Sequence, residues 1–409
     1  MGWVVGFSAH KRKRSTAVIF VILLGLIGLM ADIATEGSRS AMGSYLGLLG
    51  ASAVTVGFIA GLSELLGYSL RIVFGRLTDH TGNYWAPLFI GYGINLIAVP
   101  ALALTGNWME AMWLIMLERI GRAVRSPARD AMLSHAGSKM GRGWAYGVQE
   151  ALSSVGGMVG PVAIVVVMML GGDYRVGFEV LLIPALAALL LLVYARRVNP
   201  HPRRMEHAPE VEKSAKLPRI FWPYVLAGAL IAAGYADFPL IALHIERFAG
   251  ISDGWVPVMY AIVMASDGLS ALAFGSSYDR IGLLPLICVS AAVPIFVPLI
   301  FSSDVTFVIL GMMLYGVGFG AQESVMRAVV ADMTPAGRRG TAFGIYNAAF
   351  GISWFLGSIA MGSLYESSMV GMMFLSISLQ LMAIPVMVHV MKGHVFASHK
   401  KSGETAMEV

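Results

Sequence analysis

The chain has 409 residues, of which 57% are apolar and only 13% are Asp, Glu, Lys or Arg, whereas soluble domains carry about 25% charged residues. This composition excludes a soluble enzyme, a disordered chain and a nucleic-acid-binding protein. The net charge of +5 is small, and the single cysteine, Cys288, excludes an intramolecular disulfide framework and a Cys-rich metal site. The apolar residues fall in long blocks, which predict a polytopic membrane protein.

A bilayer-spanning helix needs about 20 mostly apolar residues. Polar or glycine-rich breaks divide the chain into twelve such stretches, so the predicted fold is an all-α membrane protein with twelve transmembrane helices. The predicted spans are 16–37, 50–74, 86–105, 108–128, 143–170, 176–195, 220–246, 256–275, 283–301, 305–330, 341–363 and 369–391.

The longest connection, residues 196–218, is charged and contains four prolines. We interpret it as a cytoplasmic linker between an N-terminal six-helix half, 1–195, and a C-terminal six-helix half, 219–395. Residues 396–409 are predicted to form a cytoplasmic tail.

The distribution of Lys and Arg predicts the orientation of the spans, because basic residues concentrate on the cytoplasmic side. With the N-terminus in the cytoplasm, 23 basic residues fall on that side, Arg125 and Arg327 among them. Only Arg39, Arg175 and Arg247 fall on the outer side. We therefore predict a multi-pass protein of the cell (inner) membrane with both termini in the cytoplasm.

The two halves contain matching sequences. FGRLTDHTG (74–82) matches FGSSYDRIG (274–282), each after the second span of its half. GRGWAYG (141–147) matches RRGTAFG (338–344), each at the start of the fifth span. The ordered set indicates an internal duplication, one of the arrangements that build secondary transporters, with the site at the interface between the halves.

GRLTDHTGNYW (75–85), on a predicted short cytoplasmic loop, resembles the signature loop of the major facilitator superfamily, G-x-x-x-D-R/K-x-G-R-R/K. Gly75, Asp79 and Gly82 match the pattern, whereas His80 replaces the usual basic residue. The glycines permit a tight turn. The aspartate can cap the next helix or pair with a nearby cation such as Arg129 or Arg142.

The second copy is closer to the pattern at the basic position, with Gly275, Asp279, Arg280 and Gly282. A charge cluster at such loops can hold the cytoplasmic side closed in one state. The predicted cytoplasmic gate consists of Gly75, Asp79, Gly82, Arg129, Asp279 and Arg280.

Three further features resemble the superfamily. Arg119 resembles its span-four arginine, which is implicated in proton transfer in antiporter members. GRAVRSPARDAML (121–133) resembles a string of one bacterial and archaeal branch that is loosely described as drug efflux. VGGMVGP (155–161) resembles the glycine-rich antiporter motif, although helix packing alone also accounts for it. The resemblance covers the whole chain and implies the major facilitator fold, with two pseudo-symmetric halves.

Ionisable residues inside the spans are the candidate transport residues, because their insertion is costly and they usually face a cavity or a partner. In span one, Asp32, Glu36 and Arg39 share a helical face, and Glu36 can simply pair with Arg39. Glu64 has no basic neighbour in its own helix. It must be protonated, face water or pair across helices.

Spans four and five add further charges. Glu118 and Arg122 are four residues apart, so a structural ion pair competes with a transport role. Arg125 approaches the cytoplasm and is interpreted as a gate or interface residue. Glu150 in span five can neutralise an arginine of span four such as Arg119.

In the second half, Asp237 precedes Pro239, which weakens the helix there. A broken helix beside a carboxylate is a candidate substrate or ion position. Asp267 in span eight can instead belong to the cytoplasmic charge cluster. Gln322 and Glu323 lie among glycines, with an arginine one turn on. Two interpretations therefore remain for these residues, a salt bridge at a gate and a binding site.

No metal cluster, nucleotide-binding loop or nucleophile–base pair occurs in the sequence, so no cofactor and no enzyme activity are predicted. The leading hypothesis is a proton-coupled secondary transporter that works by alternating access and exports a small organic or amphipathic solute. Protonation of Asp32 or Glu64 would bias one facing state. The alternatives are proton-driven uptake of a small organic solute, or a non-transporting membrane receptor. The expected partners are a small-molecule substrate, protons and the lipid bilayer, with no nucleic acid, and we expect a monomer.

Overall fold

The structure is a computed structural model that describes residues 2–138, 140–202, 216–238, 240–241, 244–245 and 256–407. Throughout these ranges the regular secondary structure is helical. This confirms the all-α fold class that the composition predicts.

Seven helices form the first half of the chain. They are α1 Gly2–Leu48, α2 Ala53–Thr81, α3 Trp85–Ala101, α4 Trp108–Gly137, α5 Arg142–Met169, α6 Tyr174–Val180 and α7 Leu182–Val198. Seven described helices follow in the second half. They are α8 Phe221–Gly234, α9 Val256–Ile281, α10 Leu284–Ala292, α11 Phe296–Ile300, α12 Val305–Met333, α13 Arg339–Ser367 and α14 Met369–Met407.

These helices account for the twelve predicted spans, with α6 and α7 together forming the sixth and α10 and α11 the ninth. Among the described residues, nine helical stretches are long and apolar enough to cross a bilayer. The other three spans are α8 and the α10–α11 stretch, which are shorter apolar helices, and α4, whose charged residues lower its hydropathy.

The predicted location of the signature motif on a loop is wrong. Residues 75–81 form the last two turns of α2, and only 82–84 connect α2 to α3. The helix extends beyond the apolar residues, because its backbone hydrogen bonds continue through the polar final turn. It ends at Gly82, which has a positive φ of 65°. Gly282, with a φ of 68°, follows α9 in the same way. The tight turns are thus confirmed at Gly82 and Gly282, whereas Gly75 lies inside a helix.

The predicted break in the seventh span is confirmed. The helix α8 ends at Gly234, and residues 235–237 are not helical, so that Asp237 lies beyond the end of a helix. Pro239, Arg247 and residues 203–215 of the predicted linker lie outside the described residues.

The interface between the halves pairs equivalent helices. The helix α2 packs along α13, and α5 packs along α9. The second span of each half therefore contacts the fifth span of the other half, as a two-fold repeat requires. A further contact joins α5 to α12.

Four glycines bring these helices together. A Cβ atom on Gly75 would overlap the carbonyl oxygen of Gly340, and a Cβ atom on Gly143 would overlap that of Gly275. Small residues at a membrane helix interface allow such close backbone approach. We call this end of the bundle, which contains the turns at residues 82–84 and 282–283, the sealed end.

The glycine contacts predict that a glycine-to-alanine substitution destabilises the protein at the helix interface but not at an open position. Gly143→Ala should lower the stability of the folded state by about 1–3 kcal/mol through overpacking against the backbone of Gly275. Gly93→Ala is the matched control, because it makes the same change in mid-helix where no atom lies within 4 Å. Thermal unfolding in detergent compares the two variants. Equal unfolding temperatures would contradict the packing account.

Candidate functional site

The sealed end is held by two carboxylates that cap helices of the opposite half. Asp79 accepts hydrogen bonds from the backbone N–H groups of Gly340, at 2.9 Å, and Thr341, at 2.6 Å. These are the second and third residues of α13, whose own N-cap residue makes no side-chain cap. A carboxylate at this position satisfies orphan N–H groups and favours the helix dipole.

The second copy repeats this geometry. Asp279 accepts from the N–H groups of Gly143, at 2.8 Å, and Trp144, at 2.7 Å, the second and third residues of α5. The N-cap residue of α5, Gly141, also makes no side-chain cap. The two alternatives for Asp79, capping the next helix or pairing with Arg129 or Arg142, are therefore both wrong. Each aspartate caps a helix of the other half.

Two polar pairs accompany the caps. Arg142 at the start of α5 forms an ion pair with Asp332 of α12. Arg339 at the start of α13 lies with its Nη1 atom 3.0 Å from Nδ1 of the buried His135 on α4. Arg129, which was predicted to belong to the gate, instead pairs with the adjacent Asp130 at 3.0 Å.

A second polar region lies within the first half and joins three arginines to three glutamates. Its N–O distances are 2.7 Å for Arg39–Glu64, 3.1 Å for Arg119–Glu64, 3.2 Å for Arg119–Glu118, 3.4 Å for Arg122–Glu118, 3.3 Å for Arg122–Glu36 and 3.7 Å for Arg39–Glu36. Each charged group thus has two partners of opposite sign. We call these six residues the balanced network.

The balanced network answers two questions that the sequence leaves open. Glu118 and Arg122 do form the predicted ion pair, and Glu64 pairs across helices rather than standing alone. The side chain of Arg39 is 50% exposed and that of Glu64 is 31% exposed, whereas Arg119 is 6% exposed. One edge of the network is therefore accessible, and the other is buried in the half.

A third polar region crosses the interface between the halves. Arg327 of α12 pairs both with Glu323 in its own helix and with Glu150 of α5. The predicted Glu323–Arg327 pair is thus confirmed. The predicted neutralisation of a span-four arginine by Glu150 is wrong, because its partner lies in the other half. Arg327 is buried within the bundle and does not belong to the cytoplasmic basic residues.

Asp267 joins this third region, contrary to its predicted place in the cytoplasmic charge cluster. It lies twelve residues before Asp279 in α9, which is about 18 Å along a helix. The residue is 1% exposed, and its Oδ2 atom lies 2.5 Å from the hydroxyl oxygen of Ser154 on α5. Its Oδ1 atom has no hydrogen-bond partner in the described part of the chain.

Asp32 lies between these regions. Its Oδ2 atom accepts a hydrogen bond of 2.5 Å from the hydroxyl group of Ser153. The serines at 153 and 154 thus approach carboxylates of opposite halves from adjacent positions of α5. The sequence analysis did not identify either serine, because a serine in an apolar helix carries no signal of its own.

An aromatic cluster lies in the second half, near Asp237. Tyr235, Phe319 and Trp354 form a triangle with ring centroids 5.9–6.1 Å apart. Asp237 lies beside it, accepts from the Trp354 side chain and is within electrostatic range of Arg39 of the balanced network.

Two predicted residues have other surroundings. Gln322 is buried, and its Oε1 atom has no hydrogen-bond partner within the described ranges. Arg125 is buried and stacks over the ring of Tyr92 at 4.4 Å. Across the described residues, no group of three or more His, Cys, Asp or Glu side chains could hold a metal ion.

The two inter-half caps predict the effect of neutralising them. Asp79→Asn and Asp279→Asn each remove the carboxylate charge and one acceptor oxygen, which should cost the seal about 0.5–2 kcal/mol. That corresponds to roughly a two- to thirtyfold rise in the population with an open seal. Maleimide labelling of Ala271→Cys in a Cys288→Ser background measures this population, since Ala271 is fully buried beneath the seal.

Asp173→Asn is the matched control for these variants. Asp173 caps α6 by accepting from Val176 at 3.0 Å, a contact within one half. The Asp173→Asn variant should therefore label at the same rate as the unmodified chain. Equal labelling in all three variants and the unmodified chain would refute the capping role of Asp79 and Asp279.

Comparison with known proteins agrees with this architecture. A family model described as the Major Facilitator Superfamily matches residues 15–358 and 248–405. An uncharacterised protein of Mycobacterium bovis is 37% identical over 383 aligned residues, covering 92% of this chain and 94% of that protein. An uncharacterised MFS-type transporter of Methanocaldococcus jannaschii is 23% identical over 358 residues, covering 85% of this chain and 89% of that protein.

Solved structures show the same fold. A bacterial homologue of the iron transporter ferroportin in an outward-facing state superposes with a TM-score of 0.72 at 12% identity, covering 91% of this chain and 99% of that one. The human organic anion transporter MFSD10 superposes with a TM-score of 0.69 at 16% identity, with the same coverage of both chains. The motifs, the paired halves and the family match together show that this chain belongs to the major facilitator superfamily.

Proposed function

We propose that this secondary transporter is proton-coupled and exports a small organic or amphipathic solute by alternating access. The observation that carries the proposal is the charge balance at the interface between the halves. Among the described residues, the guanidinium of Arg327 pairs with both Glu150 and Glu323, and the buried carboxyl group of Asp267 lies within electrostatic range of all three. Uncompensated charge is costly inside a bundle, so the excess of negative charge at this interface is a place where bound protons would be stabilising.

The position of these groups links proton binding to conformation. Glu150 belongs to the first half and Arg327 to the second, so their ion pair spans the interface that rocking of the halves must open. The helices α5 and α9 pack on each other at the same interface. A change of protonation there alters the free-energy difference between the two facing states, which is the requirement for coupling.

The balanced network supports a different role for Glu64, one of the two carboxylates first considered for protonation. Glu64 is compensated by Arg39 and Arg119, so its protonation would leave two guanidinium groups short of a partner. We propose that Glu36, Glu64, Glu118, Arg119 and Arg122 bind the polar part of the substrate. Asp32 stays a candidate for proton transfer.

The substrate class follows from the two unlike walls. Asp237 links the balanced network to the aromatic cluster, because it lies within electrostatic range of Arg39 and Glu64 and accepts from the side chain of Trp354, which is half-buried. A solute with a polar or charged group and a flat apolar body matches both walls. We propose such an amphipathic solute, and we place Asp237 and Gln322 along its path.

The proposed direction of transport and the proposed orientation in the membrane are based on the sequence. Arg119 and the glycine-rich motif of α5 resemble antiporters and support export. The excess of Lys and Arg on the side of the sealed end supports a cytoplasmic position for that end and for both termini in the inner membrane. In this arrangement the described conformation is closed to the cytoplasm, and we propose that a monomer suffices for transport.

A pH gradient across proteoliposomes tests the coupling and its direction. A substrate is first found by thermal stabilisation, since binding to the folded state raises apparent stability. For antiport, an acidic lumen should accelerate substrate uptake into the vesicle, since protons leave as substrate enters. One pH unit stores about 1.4 kcal/mol per proton, which is a tenfold substrate ratio for one-to-one exchange.

Variants make this test specific. Glu150→Gln should abolish the response to the gradient. Glu110→Gln should keep the response, because the hydrogen bonds of Glu110 within the described residues go to its own loop, at Gly106 and Asn107. Acceleration by the opposite gradient would indicate uptake by symport, and transport indifferent to both gradients would refute proton coupling.

A further inference from the structure

The hydroxyl group of Ser154 lies between two acceptors. Its oxygen is 2.8 Å from the backbone carbonyl oxygen of Glu150 in α5 and 2.5 Å from Oδ2 of Asp267 in α9. A serine hydroxyl carries a single hydrogen. Both contacts can be hydrogen bonds at once only if the carboxyl group of Asp267 supplies the second hydrogen.

The ionised alternative leaves Asp267 poorly compensated. Ser154 would have to turn its hydrogen away from the Glu150 carbonyl group, and Oδ2 would then hold the only hydrogen bond of the carboxylate. Oδ1 is buried without a donor, and no Lys, Arg or His side chain in the described part of the chain lies within 4 Å of Asp267. An anion in these surroundings carries its full desolvation cost.

The charges around Asp267 strengthen this conclusion. Glu150 on α5 and Glu323 on α12 are acidic, and the described cation within electrostatic range of Asp267, Arg327, is already shared between them. The hydroxyl groups of Tyr235 and Tyr315 also lie within electrostatic range. That of Tyr235 donates to the backbone oxygen of Tyr315 instead.

We propose that Asp267 binds a proton in the sealed conformation, that this proton joins α9 to α5 through Ser154, and that it is released at the sealed end when the two helices separate. This inference rests on the proposed proton coupling and names a site for it. In the sealed state the Asp267 O–H group donates to the Ser154 oxygen, while Ser154 donates to the Glu150 carbonyl oxygen. On separation the O–H bond breaks, the proton passes to water, and the carboxylate keeps the electron pair.

The neighbouring serine shows that the argument is specific. Ser153 lies 2.5 Å from Oδ2 of Asp32, and no second acceptor is recorded for its hydroxyl group among the described contacts. The single hydrogen of Ser153 suffices for that bond, so the same distance requires no proton on Asp32. Asp32→Asn is therefore the matched comparison for Asp267→Asn.

Infrared spectroscopy of the full-length protein in detergent at pH 7 tests the proposal. A protonated carboxyl group gives a C=O stretching band that shifts on deuteration, and this band should lose intensity in Asp267→Asn but not in Asp32→Asn. Ser154→Ala should shift the frequency of the band, because the carboxyl group loses its acceptor. This second variant keeps the test valid if Asp267→Asn fails to fold.

An absent band in the unmodified protein, or a band that neither Asp267→Asn nor Ser154→Ala changes, would overturn the proposal. The experiment needs no substrate, so its failure is distinguishable from failure of the proposed function. A missing band would refute the proton on Asp267 and leave gradient-driven transport to its own test. A present band with transport indifferent to pH would refute the coupling and keep the protonated Asp267.

Discussion

A charged side chain inside a membrane protein must be compensated, because the low-dielectric interior does not solvate it. This constraint arranges the polar residues of the bundle. In the first half each arginine of the balanced network has two glutamate partners, and each glutamate has two arginines. At the interface of the halves the compensation is incomplete, since Arg327 pairs with both Glu150 and Glu323, and no described cationic side chain lies within 4 Å of Asp267. Protons can supply the missing positive charge.

The seal follows the internal duplication with one departure. Asp79 and Asp279 cap equivalent helices, and Arg142 and Arg339 occupy equivalent positions at the starts of α5 and α13. Their partners differ, because Arg142 meets Asp332 whereas Arg339 meets His135, the residue that corresponds to Asp332 in the repeat. The two sides of the seal thus share the same geometry, but the partner of the arginine is an aspartate on one side and a histidine on the other.

The sequence predicted the elements and the repeat well, and the partners poorly. Apolar length determines a span, and the matched motifs at 74–82 and 274–282 are local patterns, so both are legible in one chain. The partners of Asp79, Glu150 and Asp267 lie 113–262 residues away in the other half. No local spacing encodes such pairs, because residue spacing in one chain shows only which side chains share one helix or one face.

The contrast between local patterns and long-range contacts also explains which contacts of the candidate site could be predicted. Glu118–Arg122 and Glu323–Arg327 are four residues apart, and both pairs form as helical spacing predicts. The role of Ser154 cannot be predicted from the sequence, because the side chain is uncharged. The role depends on two acceptors that lie next to its hydroxyl group only in the packed structure. Helix ends were misplaced where a polar final turn continues the helix, as at residues 75–81.

The central claim is that the sealed conformation holds a proton that the open one releases. Spin labels at Thr81 and Ile281, the last residues of α2 and α9, measure the separation of the halves at the sealed end in a Cys288→Ser background. Because the sealed state binds more protons, it is favoured at low pH, and its population should fall by up to about tenfold per pH unit for one proton. The account predicts a short distance in acid and a growing long-distance population as the pH rises. A distance distribution that does not change with pH would contradict it.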